Sequence, residues 1–83
     1  MKIRVTVMLK EGVLDPQGKA IGHALQSLGF EKVHNVRVGK VVEFEMPHAE
    51  GMQREKAIQQ AETMTRELLA NMVIEDFSIE VVS

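Results

Sequence analysis

The chain has 83 residues and a mass of 9.3 kDa, which suits one domain over residues 1–83 and is too short for a doubly wound nucleotide fold. Its 10 Lys and Arg against 12 Asp and Glu give a formal charge of −2, which disfavours nucleic acid and anionic membranes as partners. The absence of Cys excludes disulfides, thiolate zinc sites and a Cys nucleophile, and the short apolar runs cannot span a bilayer, so we expect a cytoplasmic protein.

The first third of the chain predicts a strand followed by a helix. Residues 2–10 alternate apolar and polar with a period of two, as a half-buried strand does. Asp15 is suited to cap a helix, Pro16 to stand at its first position, and Gly29 to end it in the left-handed conformation. The apolar stripe expected on this helix consists of Ala20, Ile21, Ala24, Leu25 and Leu28.

The middle of the chain predicts a β-hairpin. Residues 33–38 and 41–46 both alternate, and Gly39-Lys40 lies between them as a turn. A strict two-residue turn would place apolar and charged side chains on the same face. We therefore expect a bulge at Gly39 or a three-residue loop, which restores an apolar face.

The last part of the chain predicts a long amphipathic helix and a final strand. The helix is expected from about Ala49 to Ala70, with Asn71 as its left-handed stop. Its buried stripe is predicted from Ile58, Ala61, Met64, Thr65, Leu68 and Leu69. In the final strand Phe77, Ile79 and Val81 share one face.

The element order is therefore β-α-β-β-α-β, an α+β arrangement. With right-handed crossovers this order predicts a ferredoxin-like plait, a four-stranded antiparallel sheet with both helices on one face. A fold of this kind does not by itself specify a function.

The sequence shows no recognisable active site. Glu75 and Asp76 are neighbours in a strand and point to opposite faces, so they cannot share a proton. Glu43 and Glu45 share a face, where we expect them to form charge pairs near Arg4. The three His residues lie on three different elements without metal-ligand spacing, and the run 15–19 lacks the spacing of a phosphate-binding loop.

Four stretches of the chain resemble the PurS family, the small subunit of phosphoribosylformylglycinamidine synthase. They are Glu11-Gly12-Val13-Leu14-Asp15-Pro16-Gln17-Gly18-Lys19-Ala20, Ser27-Leu28-Gly29-Phe30, Val36-Arg37-Val38-Gly39-Lys40 and Leu68-Leu69-Ala70-Asn71-Met72-Val73-Ile74-Glu75-Asp76-Phe77. The resemblance covers essentially the whole chain. It departs at Met72, where the family usually has Pro.

The resemblance implies a noncatalytic role in de novo purine biosynthesis. The assembly converts formylglycinamide ribonucleotide to formylglycinamidine ribonucleotide with ATP and glutamine. A glutaminase subunit (PurQ) releases ammonia, and a large synthetase subunit (PurL) binds ATP and Mg²⁺. The small subunit implied here bridges the two, has no cofactor and no catalytic or metal-binding residue of its own, and forms a homodimer or higher homo-oligomer.

The residues expected to contact partners fall into three groups. The first is a shaped loop and helix start, the second a charged hairpin tip, and the third the turn into the last strand. In chain order they are Leu14, Asp15, Pro16 and Gly18; Arg37, Gly39 and Lys40; and Asn71, Met72 and Ile74. Each is also explained locally, as a cap or turn residue.

Two alternatives remain open at this point. ACT-type regulatory domains have the same element order and bind an amino acid beside a glycine-containing turn after the first strand, where Gly12 falls. An acylphosphatase-like enzyme would need an Arg in that turn. The chain has Lys10-Glu11-Gly12 there, so we expect no turnover of acyl phosphates.

Overall fold

The computed structural model of the protein describes residues 1–48 and 50–82. Two predicted boundaries, Ala49 at the start of the second helix and Ser83 at the end of the domain, lie outside these residues. In chain order the elements are β1 (Lys2–Leu9), α1 (Pro16–Ser27), β2 (Gly39–Glu45), α2 (Met52–Met64), a π-helix (Thr65–Leu69) and β3 (Glu75–Val81). The α+β class is confirmed.

The three strands form one antiparallel sheet in the order β2-β1-β3. The central strand β1 sets the register, with its Val5 opposite Val42 of β2 and Ile79 of β3. Because facing residues point to the same side of a sheet, this register collects the apolar side chains on one face. The predicted alternation of β1 and β3 is confirmed.

The core lies between the sheet and α2. Ile3, Val5 and Val7 of β1 are almost completely buried, and Ala61 of α2 packs against them with no exposed surface. Ala57 is buried in the same helix. Small residues on this side let the helix axis lie close to the sheet, and the half-buried rings of Phe44 and Phe77 pack at the edge of the same core.

Paired charges occupy the opposite face of the sheet. Arg4 Nε donates to Glu43 Oε2 at 2.9 Å, and the same guanidinium lies 3.7 Å from Glu80. These groups remain exposed to solvent. The expected pairing of Glu43 with Arg4 is confirmed.

The second helix ends in a wider turn than expected. The N–H of Ala70 donates to the carbonyl of Thr65 at 2.8 Å, five residues back, which is the π-helical pattern. Asn71 does not take the left-handed conformation, so its prediction as the stop was wrong. The helix ends because Ala70, at φ −132° and ψ 143°, is already extended.

Helix α1 lies against residues 33–38 instead of on the sheet, so the prediction that both helices cover one face was wrong. Gly18 and Gly22 are buried against Val36, and the Gln26 side chain donates to the Val33 carbonyl at 3.2 Å. The described chain measures 50 × 26 × 15 Å, and its radius of gyration is 16.5 Å. A compact chain of this length has about 12 Å.

The apolar stripe of α1 is consequently open to solvent. Ile21 is 44% exposed and Leu28 74% exposed. The predicted spacing and the helix itself are confirmed, with Gly29 at φ +102° after its last turn. What the sequence did not reveal is that the chain leaves this stripe uncovered.

The predicted fourth strand and its hairpin are also wrong, because residues 33–38 form no strand in the described part of the chain. Asn35 has a φ of +55°, a left-handed conformation that interrupts the alternation of a strand and that Asn tolerates better than most residues. Gly39 is therefore neither a bulge nor a hairpin tip. It is the first residue of β2, opposite Met8.

Candidate partner-binding site

All three groups of predicted contact residues lie at one end of the sheet. Met8 near the end of β1 faces Gly39 at the start of β2, and Leu9 faces Glu75 at the start of β3. The N–H of Lys10 donates to the carbonyl of Ile74 at 2.8 Å. The strand pairing thus brings the loop after β1, the start of β2 and the turn before β3 together.

Asp15 connects two of these segments through its carboxylate. One oxygen accepts from the N–H of Gly18 at 2.9 Å and caps α1, as predicted, and the other accepts from the N–H of Val38 at 2.8 Å. These hydrogen bonds, that of Gly18 first, favour the charged form and lower the pKa of Asp15 from its ordinary value. Asp15 is therefore a structural anion that fixes α1 to the segment before β2.

Pro16 and Leu14 flank this cap. Pro16 is the first residue of α1, where the missing N–H costs no helical hydrogen bond. Leu14 is 71% exposed on the loop that leads into the helix. The predicted helix start is confirmed, and it presents a large aliphatic side chain to solvent.

Gly18 is required by the close approach of the backbone of the same chain. A Cβ at this position would overlap the carbonyl oxygen of Val36. One turn further along, a Cβ on Gly22 would lie 3.6 Å from the nearest side-chain carbon of Val36, an ordinary contact. The backbone that approaches Gly18 belongs to this chain, so the glycine is explained without a partner.

Arg37 fastens the segment before β2 to the end of β1. Its guanidinium donates to the carbonyl of Leu9 and lies 3.4 Å from Glu11 Oε1. Because its guanidinium contacts both Leu9 and Glu11 of the same chain, Arg37 has a structural role in the fold of the protomer. It does not stand on the tip of a hairpin.

Gly39 and Lys40 begin β2. A Cβ on Gly39 would overlap the Met8 side chain and the Val7 carbonyl, so only a glycine lets the strands approach here. Lys40 faces Val7 across the sheet and is exposed. The Lys40 ammonium group therefore adds an exposed positive charge at the start of β2, on the same side of the sheet as the core.

Asn71 organises the turn before β3. Its N–H donates to Glu75 Oε1 at 2.6 Å, and its side-chain oxygen accepts from the N–H of Val73 at 3.1 Å. Its carbonyl accepts from the N–H groups of Ile74 and Glu75. Met72 and Ile74, 38% and 39% exposed, are held on this ordered turn.

A groove of about 660 Å³ lies between α1, residues 33–37 and the loop after β1. The glycine face of α1 forms part of its wall, and the basic side chains along it include Lys19, His23 and His34. The Asp15 carboxylate already accepts from the N–H of Gly18 in the first helical turn, where a phosphate would bind. The groove is thus a poor cradle for phosphate, although its volume is that of an ordinary small-molecule site.

Two exposed residues were not among the predicted contacts. Leu68 is 84% exposed and Val73 is 83% exposed. Leu68 was expected in the buried stripe of the second helix, and helical spacing alone gives no sign of the π-helix that exposes it. Val73 lies in the turn before β3, inside the fourth stretch that resembles the family, but it was not among the residues expected to contact partners.

The described residues contain no group of three or more His, Cys, Asp or Glu placed to hold a metal ion. Nor is any helix in residues 1–48 and 50–82 long and apolar enough to cross a membrane.

The sequence matches the family PurS, described as phosphoribosylformylglycinamidine (FGAM) synthase, over residues 2–83. The phosphoribosylformylglycinamidine synthase subunit PurS of Bacillus subtilis is 46% identical over 84 residues, which covers 96% of this chain and 90% of that protein. The corresponding subunit of Methanocaldococcus jannaschii is 42% identical over 80 residues, covering 96% and 93%.

Solved structures match as well. A crystal structure of B. subtilis PurS superposes with a TM-score of 0.83 at 41% identity and covers 99% of this chain and 98% of that one. A chain in the structure of PurLQS from Thermotoga maritima superposes with a TM-score of 0.83 at 30% identity, covering 98% and 95%. The three-stranded arrangement thus agrees with solved PurS chains.

Proposed function

This chain belongs to the PurS family and is a subunit of FGAM synthase in purine biosynthesis. We propose that it acts in the cytoplasm as a noncatalytic bridge between the glutaminase and synthetase subunits. The single observation that carries this role is the match along nearly the whole chain to PurS, including a chain of the T. maritima PurLQS assembly. The role of Asp15 is compatible with it, since both oxygens of its carboxylate accept from backbone N–H groups.

The bridge has a chemical reason. Ammonia released from glutamine escapes or is protonated in water unless the two active sites are held together. In this proposal ATP and Mg²⁺ are bound by the synthetase, and this chain contributes no ligand to either. Its contribution is a set of surfaces at the end of the sheet, where the exposed side chains of Leu14, Lys40 and Met72 are available to partners.

The protein acts as a homodimer in this proposal. The apolar stripe of α1, with Ile21, Leu28 and the neighbouring Phe30 between 44% and 74% exposed, is what an interface between copies would cover. In the described chain β2 pairs with β1 alone, so its other edge is open to a strand from a second copy. A domain this small buries too little surface alone, and association supplies the missing burial.

Reconstitution tests the bridge. The purified chain is mixed with its matching synthetase and glutaminase, and glutamine-dependent FGAM formation is measured with and without it. We expect no turnover from the chain alone, and a large fall in glutamine-dependent synthesis when it is left out, while synthesis from added ammonia persists. Unchanged glutamine-dependent synthesis without the chain would overturn the proposed role.

Sedimentation velocity tests the homodimer. Leu28→Asp places a charge on the apolar stripe and should convert the dimer to monomer at micromolar concentration. Met52→Asp is the matched control, because Met52 is 76% exposed on α2, away from the stripe, and this variant should remain dimeric. A wild-type monomer, or a dimer unaffected by Leu28→Asp, would refute this interface.

The groove beside α1 supports a second candidate function, an ACT-like sensor of small molecules. It lies beside Gly12, in the turn after β1, where the alternative expects an amino acid to bind. Isothermal titration of the isolated chain with amino acids and purine precursors separates the two functions. Saturable binding would favour the sensor, and the bridge predicts none.

A further inference from the structure

We propose that Asp15 and Arg37 are positioning residues that form a ladder stop: together they end the pairing of β1 with β2 and turn α1 away from the sheet, so that its apolar stripe faces a second copy. The role of the stripe rests on the homodimer proposed above. Both side chains act within the protomer, where they hold the two backbone groups at the end of the ladder.

The hydrogen bonds between β1 and β2 can be followed to the point where they stop. At the far end the amino group of Met1 donates to the carbonyl of Met46 at 2.7 Å, and the N–H of Met46 donates to the carbonyl of Met1 at 2.8 Å. In an antiparallel ladder such reciprocal pairs recur at every second residue. Odd-numbered residues of β1 therefore bond to β2, and the observed register makes Leu9 and Val38 the next hydrogen-bonded pair.

The ladder of the described chain ends one residue before that pair, because side chains hold its two backbone groups. The N–H of Val38 donates to Asp15 Oδ2 at 2.8 Å, and the carbonyl of Leu9 accepts from the guanidinium of Arg37. An acceptor side chain has replaced the strand carbonyl, and a donor side chain has replaced the strand N–H. Ending the ladder here therefore leaves neither of these two groups unpaired.

The place where the ladder ends determines the direction of α1. Asp15 is also the N-cap of the helix, so the N–H groups of Gly18 and Val38 share one carboxylate. The first turn of the helix is thereby fastened to the residue at which the strand would have continued. Arg37 ties the same segment to the end of β1. Helix α1 consequently packs on residues 33–38 and leaves its apolar stripe uncovered.

The opposite charges of the two side chains suit them to this task. A carboxylate only accepts and a guanidinium only donates, so each satisfies one of the two backbone groups. Hydrogen bonds that involve a charged group are also stronger than neutral ones. The hydrogen bond from Gly18 contributes most to lowering the pKa of Asp15, that from Val38 follows, and the charge of Arg37 adds to the effect. The ladder stop can therefore compete with the strand pairing that it replaces.

The displaced pairing remains open to the chain. Residues 36–38 are Val-Arg-Val, a sequence with high strand propensity, and Gly39 already belongs to β2. The left-handed conformation of Asn35 limits any extension of β2 to these three residues. Without the two charged side chains, β2 should therefore grow by the pair of Leu9 and Val38, and α1 should change its direction.

Two substitutions in the full chain separate the ladder stop from the helix cap. Asp15→Ser keeps a hydroxyl that caps α1 but removes the second oxygen and the charge, and Arg37→Met keeps the length of the side chain but removes its donors. In the double variant we expect a nuclear Overhauser effect (NOE) between the amide protons of Leu9 and Val38, which the wild type should lack. A chain that is merely destabilised would lose cross-strand NOEs and would not gain one.

Sedimentation velocity measures the consequence for α1. Since the apolar stripe of the double variant no longer faces a second copy, we expect its dimer to dissociate with a constant about tenfold larger than that of the wild type. Glu11→Gln is the matched control. It removes a charge 3.4 Å from the Arg37 guanidinium and leaves the hydrogen bond to Leu9 in place, so it should change neither the NOE pattern nor the dimer.

The amide-proton NOE between Thr6 and Ser78, which face each other in β1 and β3, shows that the sheet of a variant is folded. A folded double variant without the NOE between Leu9 and Val38 would overturn the ladder stop. An unchanged dimer in a variant that shows this NOE would overturn it as well, because the direction of α1 would then not govern association. A monomeric wild type would overturn the homodimer, and the NOE would still decide whether the ladder stop exists.

Discussion

The carboxylate of Asp15 accepts a hydrogen bond of 2.8 Å from the backbone N–H of Val38, 23 residues further along the chain. The same side chain caps α1 through the N–H of Gly18. One residue therefore fixes both the start of a helix and the segment that leads into β2. This relation determines where α1 lies, because the helix is held at its first turn to residues 33–38 and not to the sheet.

Gly18→Ala should destabilise the protein. The new Cβ would overlap the carbonyl oxygen of Val36, so α1 must move away from residues 33–38. We expect a loss of about 1–3 kcal/mol in the free energy of unfolding, measured by urea titration followed by circular dichroism. Gly22→Ala is the control, because its Cβ meets Val36 at 3.6 Å and alanine favours a helix. Equal effects of the two changes would contradict the close approach at Gly18.

The contribution of Asp15 should depend on pH. Its pKa is lower in the folded chain than in the unfolded chain, so the stability it provides is fully present above the ordinary pKa of aspartate. That stability is lost as the pH falls through the lower folded value. Asp15→Asn retains one acceptor oxygen in place of two and should be less stable than the wild type near neutral pH.

Urea titrations of both proteins in steps from about pH 7 to about pH 3 measure this dependence. The difference in free energy of unfolding should be constant near neutrality and shrink in the acid range, where the wild type loses its carboxylate. A difference that stays constant to the lowest pH would show that the charge of Asp15 contributes nothing.

Glu43→Gln should change stability little, although Glu43 forms the shortest ion pair of the sheet. Arg4 and Glu43 are 41% and 36% exposed, so solvent screens their attraction. The expected loss is below about 1 kcal/mol and smaller at high salt. Glu45→Gln, at a residue without an ion pair among those described, provides the baseline. A loss several times larger would mean that the pair is buried in the assembled protein.

Gly39→Ala should weaken the pairing of β1 and β2. Its Cβ would overlap the Met8 side chain, which can move, and the Val7 carbonyl, which cannot without breaking the ladder. We expect a loss of about 1–3 kcal/mol in the free energy of unfolding, and Met8→Ala should not restore it. Lys40→Ala, at the adjacent exposed position, should be nearly neutral. Full rescue by Met8→Ala would mean that the Met8 side chain, and not the Val7 carbonyl, is what excludes a Cβ at position 39.

The sequence predicted the elements whose signals are local. The alternation of residues 2–10 and the Asp15-Pro16 pair correspond to β1 and to the start of α1 as the structure has them. Such patterns report which face of an element is apolar, and they predict the element whether that face is buried, as in β1, or uncovered, as in α1. The PurS resemblance rests on four sequence stretches, two of which span the loop after β1 and the turn before β3.

The errors concern relations between segments. Residues 33–38 alternate like a strand, but the left-handed conformation of Asn35 interrupts them. Alternation of apolar and polar residues carries no information about the sign of φ. The apolar stripe of α1 has the predicted spacing. Spacing does not tell whether the surface that buries this stripe belongs to the same chain or to another. The exposure of Leu68 depends on one wide helical turn, which has no compositional mark.

The placement of α1 also determines how the molecule opens. In the described chain α1 is held by the hydrogen bonds of the Asp15 and Gln26 side chains and by the packing of its two buried glycines against Val36. Strand β1, by contrast, is hydrogen-bonded to a neighbouring strand on each side. A segment held by so few contacts detaches at a small fraction of the free energy needed to unfold the sheet. The amide protons of α1 should therefore exchange with deuterium long before those of β1. Raising the protein concentration should slow the exchange of α1 selectively, because self-association would cover this helix.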